Sequence, residues 1–119
     1  MGHVTVRVSL SNPLLAGKGR VVEKALVDTG ATFTTIPQPI ARKLGLKSIG
    51  KRRVKTAARS QTLDESFAHI EVDGKRTVTP LPISRTLDKI LIGVITLEAL
   101  GLSVDPTKGT LKETETLLL

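Results

Sequence analysis

The chain has 119 residues, with 18 Lys and Arg against 11 Asp and Glu, a formal net charge of +7, and no Cys, Trp or Tyr. That length suits one domain spanning residues 1–119, and the missing cysteines exclude a disulfide framework, a thiolate zinc site and a cysteine nucleophile. Two histidines, His3 and His69, are too few for a histidine-rich metal site. The longest uncharged apolar run, Ile90 to Leu97, falls far short of the roughly 18 residues that cross a bilayer, and no charged-then-apolar leader opens the chain. The expectation is a soluble, cytoplasmic protein.

In chain order, His3 to Leu10 alternates, with Val4, Val6, Val8 and Leu10 on one side and Thr5, Arg7 and Ser9 on the other. That is the period-two pattern of a half-buried strand. Breaker clusters at Ser11-Asn12-Pro13 and Gly17-Lys18-Gly19 predict a loop or wide turn. A second strand follows over Arg20 to Val27, then the abrupt Asp28-Thr29-Gly30, then a β-branched and aromatic third strand over Thr32 to Ile36. Pro37 and Pro39 stop it, and Pro39 opens a short helix over Ile40 to Leu44 with Gly45 just past its end. Arg52 to Thr56 and Leu63 to Val72 read as strands flanking Ala57 to Thr62. Asp73-Gly74 signals a two-residue hairpin. Lys75 to Ile83 leaves that turn, with Pro80 and Pro82 marking an edge strand. Lys89 to Ile92 is a short apolar strand, Val94 to Leu100 a helix capped by Gly101, and Ser103 to Lys112 a hairpin around Asp105 to Gly109. Many short strands with one or two short helices indicate an all-β barrel or sandwich.

The charge is localised. Between Thr29 and Leu63 there is no acidic residue, and Arg42, Lys43, Lys47, Lys51, Arg52, Arg53, Lys55 and Arg59 all fall there. Such a run is either a solvated face or an attraction for acidic ligands or nucleic acid.

One stretch carries chemistry. In Ala25-Leu26-Val27-Asp28-Thr29-Gly30-Ala31 a carboxylate follows directly on an apolar strand, with Gly two residues later. Gly30 permits a tight turn whose backbone N–H groups can point at the carboxylate. A lone Asp turn between strands is also a common structural device. Asp73-Gly74 and Asp105-Pro106 are read that way.

With Thr32 to Ile36 added, this stretch resembles the active-site loop of retropepsin-like aspartic proteases (clan AA), whose signature is two apolar residues, Asp-Thr-Gly-Ala, a polar residue, any residue, then Thr and apolar residues. Ile90-Leu91-Ile92-Gly93 and the following Val94 to Leu100 resemble the apolar-apolar-Gly strand and helix that lie against that loop in the family. Arg52 to Val72 sits where the family places its flap. The resemblance covers roughly Val4 to Leu111 and points to the small single-lobe microbial members, relatives of the retroviral proteases. It departs from them in lacking Gly at the flap tip, which reads Ala57-Ala58-Arg59-Ser60-Gln61, and in having Thr32 after Ala31 where Ser or Asp is usual.

The resemblance implies an acid-protease barrel and an aspartic endopeptidase. Catalysis there needs two carboxylates sharing a proton and a water. This chain has one Asp-Thr-Gly, so activity requires a C2 homodimer that brings two Asp28 side chains together. Asp28 is then catalytic, and Thr29, Gly30 and Ala31 form the active-site loop, with Thr29 bracing the two loops across the axis. Ala57, Ala58, Arg59 and Ile92 are flap and pocket candidates for binding an extended peptide, with Ala31, Ile36, Ile83 and Val94 as further linings. No metal or cofactor is implied, and no membrane partner. Residues 113–119, ending in Leu117 to Leu119, are a tail or a dimer-interface segment. Two rivals stand beside this reading: an inactive retropepsin-like module for peptide binding or dimerisation, and a basic nucleic-acid-binding β-barrel. The scarcity of aromatics opposes the latter.

Overall fold

A computed structural model describes residues 4–15 and 19–115. Nine strands and two helices follow one another among these residues. Strand β1 (Val4–Ser11) buries Val4, Val8 and Leu10 and turns Thr5 and Arg7 outward, as its alternation predicts. It pairs antiparallel with β2 (Arg20–Val27) in an unbroken register from Val4↔Val27 to Ser11↔Arg20. His3 and residues 16–18 of the intervening loop lie outside the described residues. At the near end of that loop, the buried Asn12 amide donates to the Leu44 and Gly45 carbonyls, tying the hairpin end to the first helix.

Then comes β3 (Ile36–Pro37), shorter than the predicted strand over Thr32 to Ile36. The backbone carbonyls of Ala31 and Thr32 accept from Val94 and Ile95 at the start of a helix, not from a neighbouring strand. Tertiary partners thus override the β propensity of this Thr-rich segment. Pro37 belongs to the strand and also caps helix α1 (Gln38–Lys43), which begins two residues before the predicted Ile40 with Pro39 in its first turn. Gly45, at φ +66°, ends it.

Strand β4 (Gly50–Lys55) and the long β5 (Ser60–Val72) form an antiparallel hairpin. Its tip is only Thr56 to Arg59, four residues where Ala57 to Thr62 was expected, because Ser60, Gln61 and Thr62 pair with Lys55, Val54 and Arg53. On β5 the alternation buries Ser66, Ala68, Ile70 and Val72 and leaves Phe67, His69 and Glu71 half-buried on the other face. The turn at Asp73 (φ +51°) and Gly74 (φ +78°) has two left-handed residues, the geometry of the predicted two-residue hairpin. It delivers β6 (Lys75–Ser84), whose Pro80 and Pro82 lie opposite Phe67 and Glu65 with no further ladder along most of the outer edge.

The last elements are β7 (Ile90–Ile92), α2 (Val94–Leu100) with Gly101 left-handed at its C-terminus, β8 (Leu102–Asp105) and β9 (Thr110–Glu113). Between β8 and β9, Asp105 Oδ1 accepts from the Thr107 N–H and hydroxyl, the Asx turn expected of it. Leu117 to Leu119 lie outside the described residues.

The main sheet runs β3-β6-β5-β1-β2-β7, with β2–β7 and β3–β6 parallel and the other pairs antiparallel. It returns on itself, because Thr35, one residue before β3, exchanges backbone hydrogen bonds of 2.9 and 3.0 Å with Leu91 in β7. The closed path encloses an aliphatic core that includes Val8, Leu10, Ile36, Ile70, Leu81, Ile90 and Ile92, each at most 1% exposed. Helix α2 packs across β6 and β8 and buries Leu97 and Leu100 on that side. No described helix is long and apolar enough to cross a membrane.

Candidate active site

Asp28 is the first residue beyond the β2–β7 parallel pair. Val27 lies beside Ile92, and the ladder runs one bond further as the Asp28 N–H donates to the Ile92 carbonyl at 2.9 Å. The carboxylate therefore stands at a fixed strand end. It then folds back on its own loop: Oδ1 accepts from the Gly30 N–H at 2.9 Å, and the Asp28 carbonyl accepts from the Ala31 N–H at 3.0 Å. Gly30 does not adopt a positive φ. A side chain there would set its Cβ 3.2 Å from Asp28 Oδ1, so the glycine serves close approach to the carboxylate. Asp28 is half-buried, whereas Thr29 and Gly30 at the apex are exposed.

Behind the loop lies a brace that the sequence reading did not find. The Thr34 hydroxyl accepts from the Gly93 N–H at 3.1 Å and donates to Thr96 at 2.6 Å, and Thr96 in turn meets Thr79 at 2.8 Å. All three threonines are at most 2% exposed. In isolation each would be a costly buried hydroxyl, and together they satisfy one another. Gly93 also lets the segments touch, since a Cβ on it would fall 2.5 Å from the carbonyl carbon and 2.8 Å from the nitrogen of Phe33. Real Cβ atoms do not approach backbone so closely. The glycine of the apolar-apolar-Gly element is thus required by space.

The β4–β5 hairpin stands opposite the loop. Its base is pinned by Arg52, whose guanidinium lies 4.1 Å from the centre of the Phe33 ring and pairs with the Glu65 carboxylate through both Nε and Nη2. A cation on an aromatic face and a two-pronged carboxylate pair are both directional contacts. The Glu65 hydrogen bond raises the Arg52 pKa above its usual value. At the other end the tip is closed without glycine. The Thr56 N–H and hydroxyl donate to the Arg59 carbonyl at 2.9 and 3.0 Å, and the Arg59 N–H donates back to the Thr56 hydroxyl at 3.2 Å.

Between loop and hairpin opens a cleft of about 640 Å³. Asp28, Gly30, Ala31, Thr32, Phe33 and Thr35 form its floor. Arg53, Val54, Lys55, Thr56 and Ala57 descend from the hairpin, and Gln61, Leu63, Ser84, Thr86, Leu87 and Leu91 supply the walls. Among the described residues, Asp28 is the only acid lining this cleft.

Of the residues singled out from sequence, Asp28, Gly30, Ala31 and Ala57 reach the cleft, with Thr29 at the exposed apex beside it. Ala58 is exposed at the tip but does not line the cleft, and Arg59 lines a neighbouring cavity. Ile92 is a correction: it is fully buried, and strand alternation turns Leu91 to the cleft in its place. Ile36 is likewise core, Ile83 borders the neighbouring cavity, and Val94 does not reach the cleft. Phe33, Val54, Leu63, Leu87 and Leu91 were missed as linings. The period-two reading of β4 and β5 could have placed Val54 and Leu63 on one face, but nothing in sequence said which face looks at Asp28. Among the described residues no three of His, Cys, Asp and Glu gather as a metal-holding group.

A closed β-barrel with one carboxylate on a braced Asp-Thr-Gly turn, under a hairpin and against an apolar-apolar-Gly strand, is the all-β fold of aspartic proteases. The chain belongs to the aspartyl protease family, whose model matches residues 14–98, well over half of the chain. No curated protein matches it significantly.

Proposed function

We propose that the protein is an aspartic endopeptidase acting as a C2 homodimer, with one Asp28 from each subunit. The observation that carries this reading is the lone carboxylate. Asp28 is held at a strand end in a peptide-sized cleft with no second acid, while its loop apex is exposed. Chemistry that needs two carboxylates must then take the second from another copy, and a two-fold axis beside Thr29 is the arrangement that makes both loops equivalent. Thr29 braces the paired loops across that axis.

In the dimer one Asp28 carboxylate is ionised and the other protonated, because two such groups in contact do not both ionise. The ionised carboxylate takes a proton from water as the water oxygen bonds to the scissile carbonyl carbon. The protonated one donates to the carbonyl oxygen, giving a tetrahedral diol. Transfer of a proton to the amide nitrogen and cleavage of the C–N bond release an acid and an amine and restore the shared proton. An extended peptide suits the cleft: the apolar Val54, Leu63, Leu87 and Leu91 receive side chains, and backbone groups near the hairpin pair with the substrate strand.

The test is cleavage of a peptide library by wild type and Asp28→Asn across pH, with a statine-type transition-state mimic and the solution mass measured alongside. Expected are an acidic to mildly acidic optimum, inhibition by the mimic, a dimeric mass in the active state, and a loss of at least about a thousandfold in Asp28→Asn. Cleavage that survives Asp28→Asn, or a strict monomer that cleaves, overturns the proposal.

A further inference from the structure

A second cavity, of about 270 Å³, adjoins the main cleft and shares Gln61, Leu63 and Thr86 with it. None of the Asp28 loop residues lines it, so whatever it holds is remote from the scissile bond. Its ionisable residues are Lys51, Arg59, Arg85 and Asp64. Lys51 Nζ is 2.6 Å from Asp64 Oδ1, and Ser48 donates to the same oxygen at 3.2 Å. That acid is therefore already matched, and its pKa is lowered chiefly by the Lys51 hydrogen bond. Arg85 and Arg59 make no ion pair among the described residues, and neither do Arg53 and Lys55 on the main cleft.

Four cations on two connected cavities thus make no contact ion pair among the described residues; Arg85 meets the Asp64 charge only at longer range, and the other described acid lining the cavities is Asp28. The cations come from three elements: β4, the hairpin tip and the segment after β6. The basic run of the sequence supplies Arg53, Lys55 and Arg59, and Arg85 joins them only through the fold. Arg59 is held in place by the reciprocal Thr56 turn described above, so its backbone is fixed over the cavity and only its side chain must be ordered by a ligand.

We infer that this second cavity is a specificity subsite for an acidic side chain, so that the enzyme selects peptides carrying Asp or Glu at a position away from the cleaved bond. The inference rests on the peptidase reading above and names the substrate class it would take. A guanidinium fork matches a carboxylate with two parallel hydrogen bonds, and Arg85 and Arg59 offer two forks at one cavity. Because both arginines are exposed, the selectivity is modest and sensitive to salt. It acts through binding, appearing in KM and leaving kcat alone, since the subsite touches no reacting atom.

The experiment uses paired peptides identical except for Glu or Gln at each position flanking the cleavage site, with wild type, Arg85→Gln and Arg85→Gln/Arg59→Gln. The expected acidic-to-neutral ratio of kcat/KM is about tenfold at one position. It resides in KM, shrinks at high salt, and falls to near one in the double variant. A parallel arm measures binding of fluorescent, uncleavable Glu and Gln peptides to Asp28→Asn, with a single-stranded oligonucleotide of equal charge as competitor. Arginine-dependent preference for the Glu peptide in this arm supports the subsite even if no cleavage is ever seen, in which case only the peptidase reading falls. Cleavage with a ratio near one at every position overturns the subsite and leaves the peptidase intact. A preference unchanged in the double variant also overturns it. An oligonucleotide that competes more strongly than the Glu peptide overturns it in favour of nucleic-acid binding.

Discussion

Thr96→Val removes one oxygen and keeps the shape of the side chain, yet the Thr34–Thr96–Thr79 chain makes it one of the most damaging small changes available. Thr96 is fully buried on α2 and partners two other buried hydroxyls at 2.6 and 2.8 Å. Without it the Thr34 O–H loses its acceptor and Thr79 loses its partner. An unsatisfied buried polar group costs about 1–3 kcal/mol, so two cost about 2–6 kcal/mol, against a total of about 5–15 kcal/mol for an ordinary domain. At about 4 °C per kcal/mol for this chain length, the melting temperature should fall by roughly 8–24 °C. The assay is urea unfolding at one fixed protein concentration, because self-association contributes to apparent stability. The double variant Thr79→Val/Thr96→Val leaves only Thr34 orphaned and is expected to recover about 1–3 kcal/mol of the loss. If Thr96→Val unfolds within about 0.5 kcal/mol of wild type, or if the double variant is no more stable than the single, the threonine chain does not brace the loop as described.

Gly93→Ala forces Phe33 and the Asp28 loop apart, since its Cβ would lie 2.5 Å from the Phe33 carbonyl carbon; a loss of about 1–3 kcal/mol is expected, with cleavage reduced more than stability, as read by parallel denaturation and peptide assays. Thr56→Val removes the hydroxyl that both donates to and accepts from Arg59, and faster amide exchange confined to residues 55–60 with a raised KM is the expected signature. Asp64, Asp105 and Glu113 are each held below the ordinary carboxyl values of 3.8 and 4.5, chiefly by side-chain hydrogen bonds from Lys51, Thr107 and Lys75. Lowered folded values stabilise above the unfolded pKa, and that stability is lost as pH falls through the folded values. Stability should therefore decline below about pH 4, and Lys51→Gln should make the decline shallower in unfolding titrations between about pH 2 and about pH 6.

How much of this could be read beforehand depended on the range of the interaction. The alternation of Val4 to Leu10, the Asp73-Gly74 turn and the Gly101 cap are local signals, and the elements they predict form within a residue or two. The segment Thr32 to Thr34 carried an equally clear β signal and failed, because its neighbours are the start of α2 some 60 residues on, where the Ile95 N–H bonds the Thr32 carbonyl and the Gly93 N–H bonds the Thr34 hydroxyl; only Thr35 forms a strand bridge, with Leu91. Asp28 was legible, since a carboxylate two residues before Gly after an apolar strand is a local arrangement. Its supports were not. Nothing in sequence marks Thr34, Thr79 and Thr96 as one buried chain, and each alone reads as an ordinary β-branched residue. Ile92 misled because an apolar triplet does not say which of its members faces inward; the barrel closure through Thr35 and Leu91 decides that. Arg85, far from the basic run, joins it at the second cavity only in three dimensions.

The central claim is that two copies of Asp28 make one catalytic centre, and subunit mixing tests it most directly. Wild-type chains are exchanged to equilibrium with an equal amount of Asp28→Asn at constant total protein, and peptide cleavage is measured at the pH optimum. If each centre needs both carboxylates, only wild-type pairs act, and the rate falls to about one quarter of that of wild type alone. A rate of about one half, linear in the wild-type fraction, would show that each chain works by itself and would contradict the shared centre.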